Sequence, residues 1–180
     1  IGSRNTVRES VTLNIGTDGG GKITRIGNDN LLMAYSHVGH DTQIGDHCVI
    51  ANGCQIAGHV IVEDWAIIGG LTGIAQYQRI GAHSYIGGGS GVDRDVPPFT
   101  FGRGPTGGYE IMGLNLVGMK RRSFSDETIS ALKEVNKLFF RDKSLERDAA
   151  LTKIEGILGH VAEVRQFIEF IRGSEKGIFR

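Results

Sequence analysis

The chain is poor in the residues that usually mark secreted, unstructured or nucleic-acid-binding proteins. Of its 180 residues only three are proline, two are cysteine and one is tryptophan. Two cysteines are too few for the disulfide framework of a small secreted domain, so Cys48 and Cys54 are interpreted as small core residues of a protein in a reducing cytoplasm. Its 20 basic and 20 acidic residues cancel to a net charge of zero, which argues against general binding to nucleic acid.

Long hydrophobic runs are also missing. No apolar stretch approaches the ~20 residues of a transmembrane helix, so stable membrane insertion is not expected. Glycine is abundant at 28 residues, but with so little proline the composition is not that of a flexible linker.

What the chain does contain is an aliphatic residue at every sixth position through its middle. Twelve such positions follow one another without a break: Ile26, Leu32, Val38, Ile44, Ile50, Ile56, Val62, Ile68, Ile74, Ile80, Ile86 and Val92. A period of six is neither a helical period nor a plain strand alternation. It is typical of a parallel β-helix, in which three hexads close one triangular coil and each coil contacts only its neighbours.

The register of these hexads predicts the organisation of the chain. Hexads are already present at Ile1, Val7 and Leu13, so we expect either further coils before Ile1 or an N-terminal cap of a different kind. Residues 16–25 break the register and are predicted to be a loop extruded from a coil. The solenoid is expected to end near the two prolines at 97–98, which cannot continue a ladder of strands.

Helical spacing replaces the hexads in the last third of the chain. Ser125 is a predicted N-cap, a second helix is predicted from about Ser144 to Gly159, and a third is predicted to end at Gly173. We therefore predict a parallel β-helix domain over residues 1–101 and a C-terminal helical domain with its connector over residues 102–180.

Counting in steps of three hexads, or one coil, brings polar side chains together on one edge of the predicted prism. His40, Gly58–His59 and Gln76 fall in line, Asp41 follows His40, and His37 lies on the adjoining face. A neutral imidazole is a suitable general base and a glycine N–H can stabilise an oxyanion, which indicates acyl transfer. Three histidines also suit zinc. The remaining solenoid histidines, His47 and His83, are interpreted as solvated surface residues.

Seven segments of the chain resemble the UDP-N-acetylglucosamine O-acyltransferase family of lipid A biosynthesis, in the same order and over essentially the whole length. They are residues 30–41, 56–60, 66–70, 87–92, 95–98, 118–124 and 177–180. The resemblance implies a left-handed parallel β-helix followed by a C-terminal α-helical domain. It also implies a cytoplasmic homotrimer, from a Gram-negative-type bacterium, with active sites between subunits and with no cofactor and no metal.

The resemblance assigns roles to individual residues. His40 would be the general base that accepts the proton of the sugar 3-hydroxyl, supported by Asp41, and Gly58 would stabilise the oxyanion. The acyl donor would be an (R)-3-hydroxyacyl group on acyl carrier protein and the acceptor UDP-N-acetylglucosamine. The remaining assigned residues bind substrate (His37, His59, Gln76, Asn115, Arg121 and Arg122) or line the acyl-chain groove (Tyr85 and Gly88).

Three alternatives to this function remain at the level of the sequence. The first is the related hexapeptide N-acyltransferase of the same pathway. The second is a zinc-dependent γ-type carbonic anhydrase, in which His37, His40 and His59 would bind the metal across subunits. The third is a scaffold without catalytic activity.

Overall fold

The computed structural model describes residues 1–180, which form a solenoid of short strands followed by helices. Numbered in chain order, the strands are β1 Thr6–Val7, β2 Thr12–Leu13, β3 Arg25–Ile26, β4 Leu31–Leu32, β5 His37–Val38, β6 Gln43–Ile44, β7 Val49–Ile50, β8 Gln55–Ile56, β9 Ile61–Val62, β10 Ile67–Ile68, β11 Gly73–Ile74, β12 Arg79–Ile80, β13 Tyr85–Ile86, β14 Gly91–Val92, β15 Thr100–Arg103 and β16 Glu110–Leu114. The helices are α1 Leu116–Arg121, α2 Asp126–Asn136, α3 Arg147–Leu158 and α4 Ala162–Arg172.

From β1 to β11 each strand pairs in parallel with the third strand after it, so the chain winds through three sheets in turn. Sheet A has the order β1-β4-β7-β10-β13-β15-β16, sheet B has β14-β11-β8-β5-β2, and sheet C has β12-β9-β6-β3. Paired positions are three hexads apart along most of the solenoid, as in Leu31 and Val49. This pairing confirms the predicted parallel β-helix and its period.

The first coil departs from the three-hexad step. Thr12 pairs with His37 across a longer stretch of chain, whereas Arg25 pairs with Gln43 after the usual three hexads. The extra residues therefore lie between β2 and β3, which confirms the predicted extruded loop. A 3₁₀ turn over Asp18–Gly20 lies within it.

From β3 to β14 the second residue of each two-residue strand points inward and forms the core. The twelve hexad residues from Ile26 to Val92 are all at most 3% exposed and belong to one cluster. Cys48 and Cys54 are free thiols buried in the same cluster, as predicted. Each aliphatic residue is stacked on its counterpart in the next coil, so hydrophobic burial stabilises the coil sequence as a whole.

The helical part packs on the open end of the solenoid around a second cluster that includes Phe99, Met119 and Phe139. Ser125 caps α2 by accepting a hydrogen bond from the Thr128 N–H at 3.0 Å, as predicted. The hairpin of β15 and β16, which pairs antiparallel and extends sheet A, was not predicted. The predicted boundary at residue 101 lies inside β15. None of the helices is both long and apolar enough to span a membrane.

Candidate active site

The turns between the sheets form three edges, and most of the predicted site residues lie on these edges, whereas His37 and Tyr85 lie in strands. Turns from sheet B to sheet C form the B–C edge, which contains His40, Asp41, Gly58, His59 and Gln76. Turns from sheet C to sheet A form the C–A edge, and turns from sheet A to sheet B form the A–B edge. The three-hexad step therefore correctly predicts which residues share the B–C edge.

His40 and Asp41 form a hydrogen-bonded pair at the centre of this edge. The His40 Nδ1 and the Asp41 Oδ2 are 2.9 Å apart, and His59 Nε2 is 3.9 Å from the same oxygen. The Asp41 side chain is only 1% exposed, whereas that of His40 is 33% exposed. Because a carboxylate accepts the Nδ1 proton, the neutral ring presents an unprotonated Nε2. The pair thus has the arrangement of a general base and the group that orients it.

The carboxyl group of Asp41 is held in its ionised form. Hydrogen bonds from Thr17, and then from His40, lower the pKa of Asp41 to about 2. Asp41 itself has a φ of +60°, in the left-handed region where aspartate is tolerated better than most side chains. At neutral pH the His40 ring is therefore hydrogen-bonded to a full negative charge, which fixes the orientation of the ring.

Gly58 lies against the face of the His40 ring. A Cβ at this position would be 2.6 Å from His40 Cε1 and 2.7 Å from its Nε2, so only glycine leaves room for the imidazole. Gly58 is buried, and its N–H makes no hydrogen bond within the chain. An unpaired N–H beside the Nε2 of the base is a suitable donor to a developing oxyanion.

The rings of His40 and His59 are the start of a column of rings on the B–C edge, which continues to a residue that was not predicted. The Tyr77 ring stacks on His59 with centroids 4.6 Å apart, and His59 meets His40 edge-on at 5.0 Å. Tyr77 was not singled out in the sequence, although it lies one coil after His59 in the same register. The side chain of Gln76 is exposed next to it.

His37 is separate from this group. It lies in β5 on the outer face of sheet B, where its Nδ1 is 2.8 Å from the Thr12 Oγ1. The groups that converge closely enough to bind a metal are His40, Asp41 and His59. His37 therefore does not converge with His40 and His59 within one chain, and the three-histidine zinc site considered from the sequence would need residues from two subunits.

Helix α1 lies at the C–A edge and positions three predicted site residues. Asn115 is its N-cap, Arg121 is its last residue and Arg122 is its C-cap. Asn115 caps α1 by accepting a hydrogen bond from Gly118 N–H at 3.0 Å, and its amide donates to the His83 carbonyl at 2.9 Å. Arg122 stacks over Trp65 at 5.0 Å and donates to the Trp65 carbonyl. Arg121 is exposed, and its guanidinium makes no hydrogen bond.

A cavity of 710 Å³ opens beside α1 on the outer face of sheet A. Most of its lining is apolar, although two arginines, Arg121 and Arg122, border it. The lining residues are Trp65, Ile67, Tyr85, Phe101, Leu114, Asn115, Leu116, Val117, Gly118, Arg121 and Arg122. The structure thus brings four predicted site residues, Tyr85, Asn115, Arg121 and Arg122, to one cavity. Gly88 lies in a turn of the A–B edge and does not line it.

His47 and His83, which the sequence analysis interpreted as solvated surface residues, belong to a stack of rings along the C–A edge. His47 stacks on Trp65 at 4.0 Å, and His83 lies between Trp65 and Phe99 at 6.1 and 5.6 Å. Burial, together with the nearby Arg122, lowers the pKa of His83 to about 4. The solvated interpretation is wrong for His83, since its neutral ring supports the segment that contains Arg122.

Two family models match the chain. Residues 95–179 match domain 2 of UDP-N-acetylglucosamine O-acyltransferase, and residues 23–58 match the bacterial transferase hexapeptide repeat. The acyl-[acyl-carrier-protein]–UDP-N-acetylglucosamine O-acyltransferase of Burkholderia thailandensis is 40% identical over 184 residues, covering 100% of this chain and 69% of the relative. The chain belongs to the UDP-N-acetylglucosamine O-acyltransferase family.

Solved structures of this family share the fold. The Francisella novicida UDP-N-acetylglucosamine acyltransferase superposes with a TM-score of 0.95 at 35% identity, covering 99% of this chain and 64% of that one. The Arabidopsis UDP-N-acetylglucosamine acyltransferase gives 0.92 at 33% identity, covering 99% and 64%. The chain thus spans slightly less than two thirds of these two proteins. Membership of the family favours O-acyl transfer over the N-acyltransferase and carbonic anhydrase alternatives.

The ring stack of the C–A edge predicts a pH dependence of stability. The folded chain keeps His83 neutral down to a pKa of about 4, while the ordinary pKa of histidine is 6.5. Between these values the unfolded chain binds a proton that the folded chain does not, so stability falls as the pH is lowered. We expect His83→Phe to flatten the decline of Tm between pH 6.5 and 5. The exposed His160→Phe is the control and should keep the wild-type slope; equal slopes in both variants would contradict the assignment.

Proposed function

We propose that this chain transfers an (R)-3-hydroxyacyl group from acyl carrier protein to the 3-hydroxyl of UDP-N-acetylglucosamine, with His40 as the general base. The observation that carries the proposal is the 2.9 Å hydrogen bond between His40 Nδ1 and Asp41, which leaves Nε2 free to accept a proton. The names of its relatives supply the substrates, since the Burkholderia thailandensis protein is named for acyl-[acyl-carrier-protein] and UDP-N-acetylglucosamine.

The reaction follows from the groups around Nε2. His40 accepts the proton of the sugar hydroxyl as its oxygen attacks the thioester carbonyl carbon, and the carbonyl π electrons move onto oxygen. The Gly58 N–H stabilises this oxyanion. When the tetrahedral intermediate collapses, the carbon–sulfur bond breaks, and the thiolate of the carrier takes the proton from His40. Asp41 stays ionised throughout and stabilises the imidazolium.

The other predicted site residues are proposed to bind the two substrates. His59 and Gln76 flank His40 on the same edge and would contact the sugar or the acyl group, with His37 on the adjoining face. Arg121 is the best placed of the basic residues for the diphosphate, because its guanidinium is free and charge-assisted hydrogen bonds to phosphate are strong. Arg122 and Asn115 would act chiefly by holding α1 in position.

The cavity beside α1 supports the predicted acyl-chain groove. Tyr85 lines it and stacks on Phe101 at 5.3 Å, so its ring would limit the length of a bound acyl chain. Gly88 would act at a distance, by leaving the A–B edge open.

We propose further that the active unit is a homotrimer. His40 and Arg121 belong to different edges of one prism, so a second subunit is needed to bring a diphosphate contact to the base. The outer face of sheet A supports such an assembly because it carries an apolar stripe at Leu31, Val49, Ile67, Tyr85 and Phe101. Apolar stripes of this kind typically mark interfaces. The cytoplasm is the proposed location, consistent with two buried free thiols.

Replacing the base is the direct test of the mechanism. We expect His40→Ala to lower kcat about 10²- to 10⁴-fold, the usual contribution of general base catalysis, with acyl transfer from carrier protein to UDP-N-acetylglucosamine followed by mass spectrometry. His160→Ala, an exposed position in the helical part, is the control and should match wild type. Equal turnover by His40→Ala and wild type would rule out the proposed base.

Mixing subunits tests the shared site. His40→Ala and Arg121→Ala should each be strongly impaired, but co-expressed subunits would form some sites with an intact base from one subunit and an intact arginine from its neighbour. With random assembly about a quarter of the sites are restored, since each partner is correct half of the time. Activity of the mixture no greater than that of the separate variants would contradict a site shared between subunits.

A further inference from the structure

The loop of residues 14–24 is unused in the chemistry above, yet it lies on the B–C edge directly before His40. The turn between β2 and β3 occupies the same place in the first coil as the His40 turn does in the second. It holds the sole insertion in the register of the parallel coils up to β14. An enlarged turn adjacent to a catalytic pair has room to contact it.

Thr17 in this loop makes three hydrogen bonds to the carboxylate of Asp41. The Thr17 N–H donates to Oδ1 at 2.9 Å and to Oδ2 at 3.1 Å, and the Thr17 hydroxyl donates to Oδ2 at 2.6 Å. The Oγ1 of Thr24, at the other end of the loop, accepts from the Asp41 N–H at 2.8 Å. The loop therefore makes hydrogen bonds to both the side chain and the backbone of Asp41.

The backbone of the loop also covers the carboxylate. A Cβ on Gly20 would lie 2.1 Å from Asp41 Cγ, whereas a Cβ on the neighbouring Gly19 would meet nothing within 4 Å. The cover explains how the Asp41 side chain is 1% exposed in a surface turn. The two glycines also form a matched pair for experiment.

The Thr17 hydroxyl and the His40 ring share one oxygen of the carboxylate. Oδ2 accepts from the Thr17 hydroxyl and also from His40 Nδ1, at 2.9 Å. Without the hydroxyl only the Thr17 N–H still holds the carboxylate, and Oδ2 loses its shortest hydrogen bond, so the position of the oxygen that accepts from His40 Nδ1 is less firmly fixed. A hydrogen bond between a hydroxyl and an ionised group is among the stronger ones in proteins.

We propose that Thr17 is a positioning residue for acyl transfer: its hydroxyl and amide hold the Asp41 carboxylate in the orientation that accepts the Nδ1 proton of His40. This role rests on the proposed function of His40 as the base. The amide and the hydroxyl of Thr17 are both directed at Asp41, so we expect Thr17 to affect proton transfer to His40 and not the binding of substrate.

The test compares two variants of nearly equal size. Thr17→Val removes the hydroxyl, and we expect kcat to fall about 10- to 100-fold, in line with the loss of a hydrogen bond to a charged group, with both KM values within about twofold of wild type. Thr17→Ser keeps the hydroxyl and should restore kcat to within about threefold. Unchanged kcat in Thr17→Val, or an equal loss in Thr17→Ser, would overturn the proposal.

The glycine pair gives an independent readout of the same contact. Gly20→Ala should lower kcat as Thr17→Val does, because the methyl group displaces the carboxylate, while Gly19→Ala should match wild type. Equal kcat for Gly20→Ala and Gly19→Ala would contradict the role of the loop.

A crystal structure of Thr17→Val separates this proposal from the proposed function. We expect the distance from Asp41 Oδ2 to His40 Nδ1 to exceed about 3.5 Å, beyond the range of a hydrogen bond. An unchanged 2.9 Å distance would overturn the positioning role even if acyl transfer is confirmed. A broken contact in a chain whose wild type transfers no acyl group would instead support the positioning of Asp41 and reject the acyltransferase function.

Discussion

The stacking of each coil on the next, at intervals of three hexads, is the constraint on which the rest of the structure depends. It places an aliphatic residue over an aliphatic residue through the core, and the resulting burial of apolar surface stabilises the solenoid. The same stacking places one turn over another along each edge. This stacking brings His40 next to Gly58 and His59 in space, although they are one full coil apart along the chain. The core that makes the fold therefore also assembles the candidate site.

Structural features that repeat at intervals of three hexads can be predicted from the sequence. The solenoid, its inward column, the loop in the first coil and the grouping of His40, Asp41, Gly58 and His59 all follow from counting hexads. Helices α2, α3 and α4 follow from their apolar spacing and, for α2, from the cap at Ser125, whereas α1 was not predicted. These features depend on local pattern and repetition, which one chain displays without any structure.

The features that escaped prediction depend on contacts outside the repeat. Thr17 lies in residues that break the register, so no interval connects it with Asp41. The Trp65 and His83 stack does obey the interval, but its importance comes from Arg122, which a long connection brings back to the solenoid. The hairpin of β15 and β16 was hidden because glycine-rich segments are equally common in flexible connectors. Long-range packing, and not local propensity, decides all three.

The central claim is that Asp41, fixed on a stacked turn, holds His40 in the tautomer that can act as a base. The tautomer can be measured directly from ¹⁵N–¹H correlations of the histidine rings in the isotopically labelled protein near neutral pH. We predict that His40 carries its proton on Nδ1, with Nε2 unprotonated and facing Gly58. A resting His40 with its proton on Nε2 would contradict this claim, because no lone pair would then be available to the sugar hydroxyl.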